Sequence, residues 1–248
     1  MDGIILAGGA GTRMRPLTLD KPKPLLELRD RPILAWSLMS LRGAVDRVLV
    51  VVHHLKEQIA DFMAAQDIFA DYQLVEQLPE PLGTGHALLC CRDQLAGDGF
   101  LVVNGDDLYS ADALRELSRQ EFGLLSNARA DYEHFGVVVR SPTGDFLRIH
   151  EKPPPGTYSA PAPCNSGAYK FTRAVFDYEL SKSERGELEI TDCISAAARD
   201  HAVAVVESPF WLPIGDPAAL AAAQSVDVAR WIPDLPHPPA PSRRSRST

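Results

Sequence analysis

The chain alternates between short unbroken apolar runs and longer stretches in which apolar residues recur every three or four positions. The unbroken runs fall at 3–7, 47–52, 72–75, 99–103 and 203–207, and they read as strands buried on both faces. Further strands are predicted over 122–129, 135–140, 146–150 and 168–171, the third entered through a Pro142-Thr143-Gly144-Asp145 turn. Helical spacing predicts helices over 32–42, opening on a proline, and 56–65, and from about 110 onward. It predicts others over 173–181, from the Thr191-Asp192 region to about 200, and over 217–224. Strand-helix-strand alternation of this kind gives an α/β fold: a Rossmann-like three-layer α/β/α sandwich around a mixed, predominantly parallel central sheet.

Composition narrows the class without changing that picture. With 248 residues, 45% hydrophobic and 23% charged, the chain is an ordinary globular sequence. One domain is expected over 1–232, followed by a Pro-, Ser- and Arg-rich tail over 233–248 that reads as disordered and carries no hexapeptide repeat. A formal net charge of −8 argues against nucleic acid as a partner, because that binding needs a basic surface. No apolar run approaches the ~18 residues that span a bilayer, and no basic and apolar leader precedes the first strand. Neither export nor membrane insertion is expected. Cys90, Cys91, Cys164 and Cys193 lack metal-ligand spacing and read as reduced thiols of a cytoplasmic protein. His53, His54, His86 and His134 show no ligand spacing either and read as structural.

The candidate chemistry begins where the first strand ends. Leu6 and Ala7 lead into Gly8, Gly9 and Gly11, which have no Cβ and let backbone N–H groups approach an anion. Thr12, Arg13, Arg15, Lys21 and Lys23 follow, and Pro16, Pro22 and Pro24 stiffen the segment that presents the cations. A glycine turn before a solvated basic loop would need less, but this combination directly behind a strand suits a polyphosphate. It is not a Walker A loop, since no Gly-Lys pair occurs in the chain. Nor is it a dinucleotide fingerprint: Met14 stands where the third glycine belongs, and the second strand ends in His53-His54 rather than an acid.

Gly8-Gly9-Ala10-Gly11-Thr12-Arg13, followed by Pro16-Leu17-Thr18 and Pro22-Lys23-Pro24-Leu25, resembles the signature of the sugar-1-phosphate nucleotidyltransferases. The resemblance implies the nucleotide-diphospho-sugar transferase fold and an enzyme that joins a nucleoside triphosphate to a sugar 1-phosphate with Mg²⁺. Small-molecule substrates are then the partners, and self-association into a homo-oligomer is compatible with it.

Four later stretches extend the likeness. Gln77, Gly83 and Thr84, at a strand-to-helix junction, offer an amide and bare backbone to the edge of a base. Leu82-Gly83-Thr84-Gly85-His86-Ala87 is most similar to the uridylyltransferase branch, although the same residues would also make a plain turn with Thr84 as helix N-cap. Asn104-Gly105-Asp106-Asp107 puts carboxylates at the carboxyl end of a central strand, where open α/β sheets bind ligands. The resemblance assigns Mg²⁺ to Asp106, the other reading being that Asp106 or Asp107 caps the next helix. Glu151-Lys152-Pro153 and Asn165-Ser166-Gly167 flank a Pro-rich excursion over 153–163, which reads as a loop at the rim of the sugar pocket. The family's use of these motifs implies that Gly136, Glu151, Lys152 and Asn165 hold the sugar phosphate, against the alternative of a surface Glu151–Lys152 ion pair.

In the resemblance Arg13 holds the leaving pyrophosphate, Lys23 meets the α-phosphate and Lys152 aligns the attacking phosphate. One departure stands out. In Trp211-Leu212-Pro213-Ile214-Gly215-Asp216, proline occupies position 213, where the family pattern supplies a second metal carboxylate. Asp216 either reaches the metal instead or caps the following helix. Two other classes fit less of the chain: a glycosyltransferase on a similar fold, which has no use for the basic loop, and a catalytically silent nucleotide-sugar binder.

Overall fold

The computed structural model describes residues 1–183 and 186–233. The tail residues 234–248, read above as disordered, lie outside the described residues.

The chain opens with β1 (Asp2–Leu6) and passes through the proline-rich loop, which contains two 3-10 turns, Thr12–Met14 and Lys23–Leu25. The hairpin β2 (Glu27–Leu28) and β3 (Arg31–Pro32) leads into α1 (Ile33–Leu41), a helix buried along its whole length. Then come β4 (Arg47–Val52), α2 (Lys56–Ala65), β5 (Tyr72–Glu76), α3 (Thr84–Cys90) and β6 (Gly99–Asn104). After β7 (Asp107–Tyr109) and α4 (Ala111–Leu117), three strands follow: β8 (Phe122–Arg129), β9 (Gly136–Arg140) and β10 (Phe146–Glu151). The long β11 (Ala162–Thr172), α5 (Ile190–Ala197), β12 (Val203–Glu207), β13 (Trp211–Pro213) and α6 (Pro217–Ala223) complete the order.

The main sheet runs β5-β4-β1-β6-β11-β8-β12, with β9 and β10 joined to the first half of β11. The ladders β5-β4, β4-β1, β1-β6 and β8-β12 are parallel, while β11 runs against β6, β8 and β9, and β10 against β9. All the large-sheet strands except β10 and β11 therefore point the same way. Alternation along the strands builds two cores. Ile5, Val48, Val50, Leu101 and Val103 pack with Leu34 and Leu38 of α1, Met63 of α2 and Leu114 of α4 on one face. Ile4, Leu49, Val51, Phe100 and Val102 pack with Leu88 of α3 and Ile194 of α5 on the other. A third cluster seats the basic loop: Met14 is fully buried with Leu28, Trp36, Leu108, Ile214 and Leu220.

Several expectations change. The helix expected over 173–181 is only a 3-10 turn, Arg173–Asp177. Phe176 stacks on Phe100 at 5.8 Å and Tyr178 Oη donates to Asp200 at 2.9 Å, so tertiary contacts draw the segment out where a helix would turn these rings away. The strand predicted over 168–171 is the second half of β11, which starts inside the expected Pro-rich loop because Ala162 and Cys164 already pair with β8. Gly83, with φ +99°, occupies the N-cap of α3, and the Thr84 hydroxyl instead accepts from the Ile190 N–H at 3.0 Å. Ser110, not Asp106 or Asp107, caps α4 through its hydroxyl, 3.4 Å from the Ala113 N–H. The hairpin β2-β3 and the pair β7-β13 were not foreseen.

Gly167 closes the bend of β11 at φ +78°, and a Cβ there would stand 2.2 Å from the Asn104 amide nitrogen at the end of β6. Gly167→Ala should therefore cost ~2–4 kcal/mol, from left-handed strain together with overpacking. Urea unfolding checks this, and a loss below ~1 kcal/mol contradicts the packing described.

Candidate active site

Register places the site. Leu6 of β1 lies opposite Asn104 of β6 and Val51 of β4, so the chain leaves the sheet at one edge from adjacent strands. There the glycine loop and the Asn104-Gly105-Asp106 turn come together. Gly11 takes φ +59°, and a Cβ on it would press on Thr18 at 3.1 Å and Lys23 at 3.2 Å. The Thr18 hydroxyl donates to Gly11 O at 2.8 Å and ties the loop back on itself. Buried Met14 anchors its far side. Lys23, 7% exposed, then reaches Asp106 with Nζ–Oδ2 at 2.5 Å, while Asp106 keeps 35% of its side chain exposed.

Two cavities open at this edge. The first, about 490 Å³, is lined by Leu6, Ala7, Gly8, Gly9, Gly11, Thr12 and Arg13 of the loop, by Lys23, and by Gln77, Gly83 and Thr84 across from it. All ten residues assigned to the nucleotide from the sequence thus line one cavity. The Gln77 amide donates to Gly83 O at 2.9 Å and meets His86 Nδ1 at 3.2 Å. The second cavity, about 340 Å³, is lined by Gly136, Glu151, Lys152 and Asn165, the four residues assigned to the sugar phosphate. Arg13, Thr84, Asn104, Asp106 and Gly215 line both. The two cavities are halves of one cleft.

Local structure holds the second half in shape. A Cβ on Gly136 would lie 2.9 Å from Glu151 Oε1, so the bare backbone of β9 makes room for the carboxylate. Lys152 has φ +43°, a region that strains a residue with a side chain, and is fixed there by its N–H donating to Phe135 O at 3.0 Å. Asn165, at the β11 bulge, donates to Tyr169 Oη at 2.7 Å and accepts from the Gly167 N–H at 3.2 Å.

The acids suit a small hard cation. Asp106 already holds a cation, the Lys23 ammonium. Asp107 beside it is 8% exposed, and its Oδ2 accepts from Asn104 Nδ2 and Trp211 Nε1, both at 3.3 Å. Burial, then the neighbouring Asp106 charge, pushes the Asp107 carboxyl up to about 7. A pair of adjacent carboxylates that gains from added positive charge fits Mg²⁺, which takes one or two protein carboxylates and fills its octahedron with phosphate and water oxygens. Among the described residues no three His, Cys, Asp or Glu side chains cluster as a metal site, so a larger protein cage is not present there. Asp216 is the N-cap of α6: its Oδ1 accepts from the Ala219 N–H at 2.8 Å, and it lines neither half of the cleft. Of its two readings from the sequence, capping is the one the structure shows.

Other lining residues were not picked out from the sequence. Phe135, Tyr169, Thr191 and Trp211 face the second half, beside Asn104 and Asp107 of the stretch already singled out. His134, read as structural, also lines this half. The Lys23–Asp106 pair bridges 83 positions and leaves no trace in local pattern.

Comparison with known proteins places the chain in a family. The nucleotidyl transferase family model matches residues 2–229, and the chain belongs to that family. It is 33% identical over 222 residues to the bifunctional protein GlmU of Methanocaldococcus jannaschii, covering 88% of this chain and 52% of that protein. It is 30% identical over 243 residues to a bifunctional sugar-1-phosphate nucleotidylyltransferase/acetyltransferase of Sulfurisphaera tokodaii, covering 94% and 56%. The chain spans about half the length of these curated relatives. Among solved structures, UDP-glucose pyrophosphorylase complexed with UDP-glucose superposes with TM-score 0.80 at 20% identity, over 90% of this chain and 96% of that one. A Bacillus anthracis protein described as a glucose-1-phosphate thymidylyltransferase, in complex with a sucrose, gives 0.78 at 26%, over 96% and 97%. The nucleotide-diphospho-sugar transferase fold expected from the sequence is the fold observed.

Two consequences follow for the site's own energetics. Lys152→Gly relieves the positive φ and should raise stability by up to ~1 kcal/mol while removing the ammonium, seen as a higher Tm with lower activity. A lower Tm would mean that the strain is not there. For Asp107, a folded value near 7 against an ordinary 3.8 means that ionisation opposes folding, a penalty absent below about pH 4 and complete above about pH 7. In Mg²⁺-free buffer Asp107→Asn should therefore stabilise the protein more at pH 8 than at pH 5, measured by urea unfolding at both.

Proposed function

We propose that this protein is a sugar-1-phosphate nucleotidyltransferase: it condenses a nucleoside triphosphate, UTP by preference, with a sugar 1-phosphate to give a nucleoside-diphosphate sugar and pyrophosphate. The observation that carries the reading is the single cleft whose two halves, one walled by the glycine loop and one by Glu151, Lys152 and Asn165, meet at Arg13 and Asp106. The names borne by the relatives from Methanocaldococcus jannaschii and Sulfurisphaera tokodaii support it.

In the proposed reaction a sugar-phosphate oxygen attacks the α-phosphorus in line, and the bond from that phosphorus to the bridging oxygen of pyrophosphate breaks. The nucleophile is already ionised near pH 7, so no side chain has to take a proton, and catalysis is positioning with charge stabilisation. Loop N–H groups and Arg13 hold the β- and γ-phosphates as they become the leaving group. Lys23 leaves Asp106 for the α-phosphate, where charge builds. Lys152, held by its strained backbone, aligns the attacking phosphate, while Glu151 and Asn165 accept and donate to sugar hydroxyls. Asp106, with Asp107 beside it, would hold Mg²⁺, which when bound neutralises charge on the phosphate oxygens. Gln77 meets the base: its amide nitrogen is turned into the protein toward Gly83 O and His86 Nδ1, so it offers the carbonyl oxygen, which suits the N3–H of uracil or thymine.

A glycosyltransferase would use the acids but not the basic loop, and a silent binder would use the whole cleft without turnover. Pyrophosphate release, assayed with UTP, dTTP, GTP, CTP and ATP against glucose, N-acetylglucosamine and mannose 1-phosphates, separates the three. Release that depends on both substrates is expected, and none across the panel sinks the proposal. With the best pair, Lys23→Ala should lower kcat by ~10² to 10³, the usual loss of one preorganised charge donor. Unchanged turnover removes Lys23 from the mechanism.

A further inference from the structure

His86, on the first turn of α3, was read from the sequence as structural, and the nucleotide cavity does not count it among its lining. Its ring nevertheless stands behind the residue proposed to read the base. Gln77 is 4% exposed and its main chain is fixed on both sides: its N–H donates to Val52 O at 3.0 Å, and its carbonyl meets His53 Nδ1 at 3.1 Å. What remains to be set is which end of the amide faces the cleft, since the NH₂ and the oxygen are nearly equal in size and opposite in hydrogen-bonding sense.

Two acceptors settle that choice. Gly83 O takes one amide hydrogen at 2.9 Å, and His86 Nδ1 lies 3.2 Å from the same nitrogen. An amide NH₂ cannot accept, so this contact is a hydrogen bond only with Nδ1 bare and the imidazole proton on Nε2, 3.8 Å from Cys90 Sγ. Turning the amide over would bring Oε1 against the Gly83 carbonyl and, in the Nε2–H form of His86, against a bare Nδ1 as well. The oxygen is thereby directed toward the glycine loop, 3.3 Å from where a Cβ on Gly8 would stand.

Resting on the base reading given above, we propose that His86 is a positioning residue for nucleobase selection. By accepting from Gln77 in its Nε2–H form, it presents a fixed carbonyl to the cleft and favours bases with an imide N–H over cytosine, whose N3 is an acceptor. It touches no substrate, and its influence passes through the Gln77 amide.

The experiment compares UTP with CTP by kcat/KM and by equilibrium binding for wild type, His86→Ala and His86→Asn, with Tm recorded for each. Asn places an acceptor oxygen near the position of Nδ1. His86→Ala should reduce the UTP-over-CTP ratio about fivefold or more, the equivalent of one net hydrogen bond, and His86→Asn should return it to within about twofold of wild type. A structural role would lower Tm and both nucleotides together, leaving the ratio unmoved, and that result overturns the proposal. Imidazole ¹⁵N shifts of the wild-type protein give a readout that survives a poorly folding variant: bare Nδ1 supports the assignment, and a proton on Nδ1 overturns it. The two readings fail differently. A wild type indifferent to UTP and CTP sinks the base assignment and this proposal with it, whereas a selective wild type matched by an equally selective His86→Ala sinks only the role of His86.

Discussion

The ion pair between Lys23 and Asp106 is the contact on which the site depends. It joins a loop leaving β1 to a turn leaving β6, and it forms because the parallel ladder sets Leu6 against Asn104, so that both chains emerge at the same height. A lysine only 7% exposed is costly unless paired. The fold accepts that cost by bringing in Asp106, and the loop is thereby clamped over the cleft. In the proposed reaction neither charge need ever be bare. The ammonium passes to a phosphate oxygen and the carboxylate to a metal ion, so each exchanges one opposite partner for another inside the same pocket.

The parts of this arrangement that were legible in the sequence are those governed by local chemistry. Runs such as Val48-Leu49-Val50-Val51 can only be strands covered on both faces, and they are. The glycines, prolines and cations of the loop suit an anion through their own backbone and charge, and that loop lines the cleft. Segments governed by distant contacts were less readable. Residues 173–181 have helical spacing, but Phe176 is claimed by Phe100 and Tyr178 by Asp200. The strands β7 and β13 are three residues each, shorter than a period-two pattern can declare, yet they set Asp107 beside Trp211. The role argued for His86 was invisible for the same reason, because nothing near it in the chain says that it meets Gln77 nine positions earlier.

The departure at Pro213 can be understood from the β7-β13 ladder. Register puts Pro213 directly opposite Asp107 and Trp211 opposite Tyr109. Proline is tolerated here because β13 belongs to a two-stranded pair and ends at that residue, where a missing N–H removes little. The carboxylate that the family pattern implies at 213 is absent, but a carboxylate stands across the ladder at 107. Asp106, in the turn, is directed to Lys23 and the open cleft, while Asp107, the first residue of β7, is directed to Asn104 and Trp211. One acid is available to solvent and the other is buried with its carboxyl near 7. A third carboxylate at 213 would crowd a pair that already repels itself, whereas an uncharged ring there leaves the local acid count at two. Asp216 is then free to do what its backbone position favours and close the first turn of α6. The chain thus keeps two neighbouring acids at the cleft, Asp106 where its halves meet and Asp107 in the second half, drawing both from the turn and strand that follow β6.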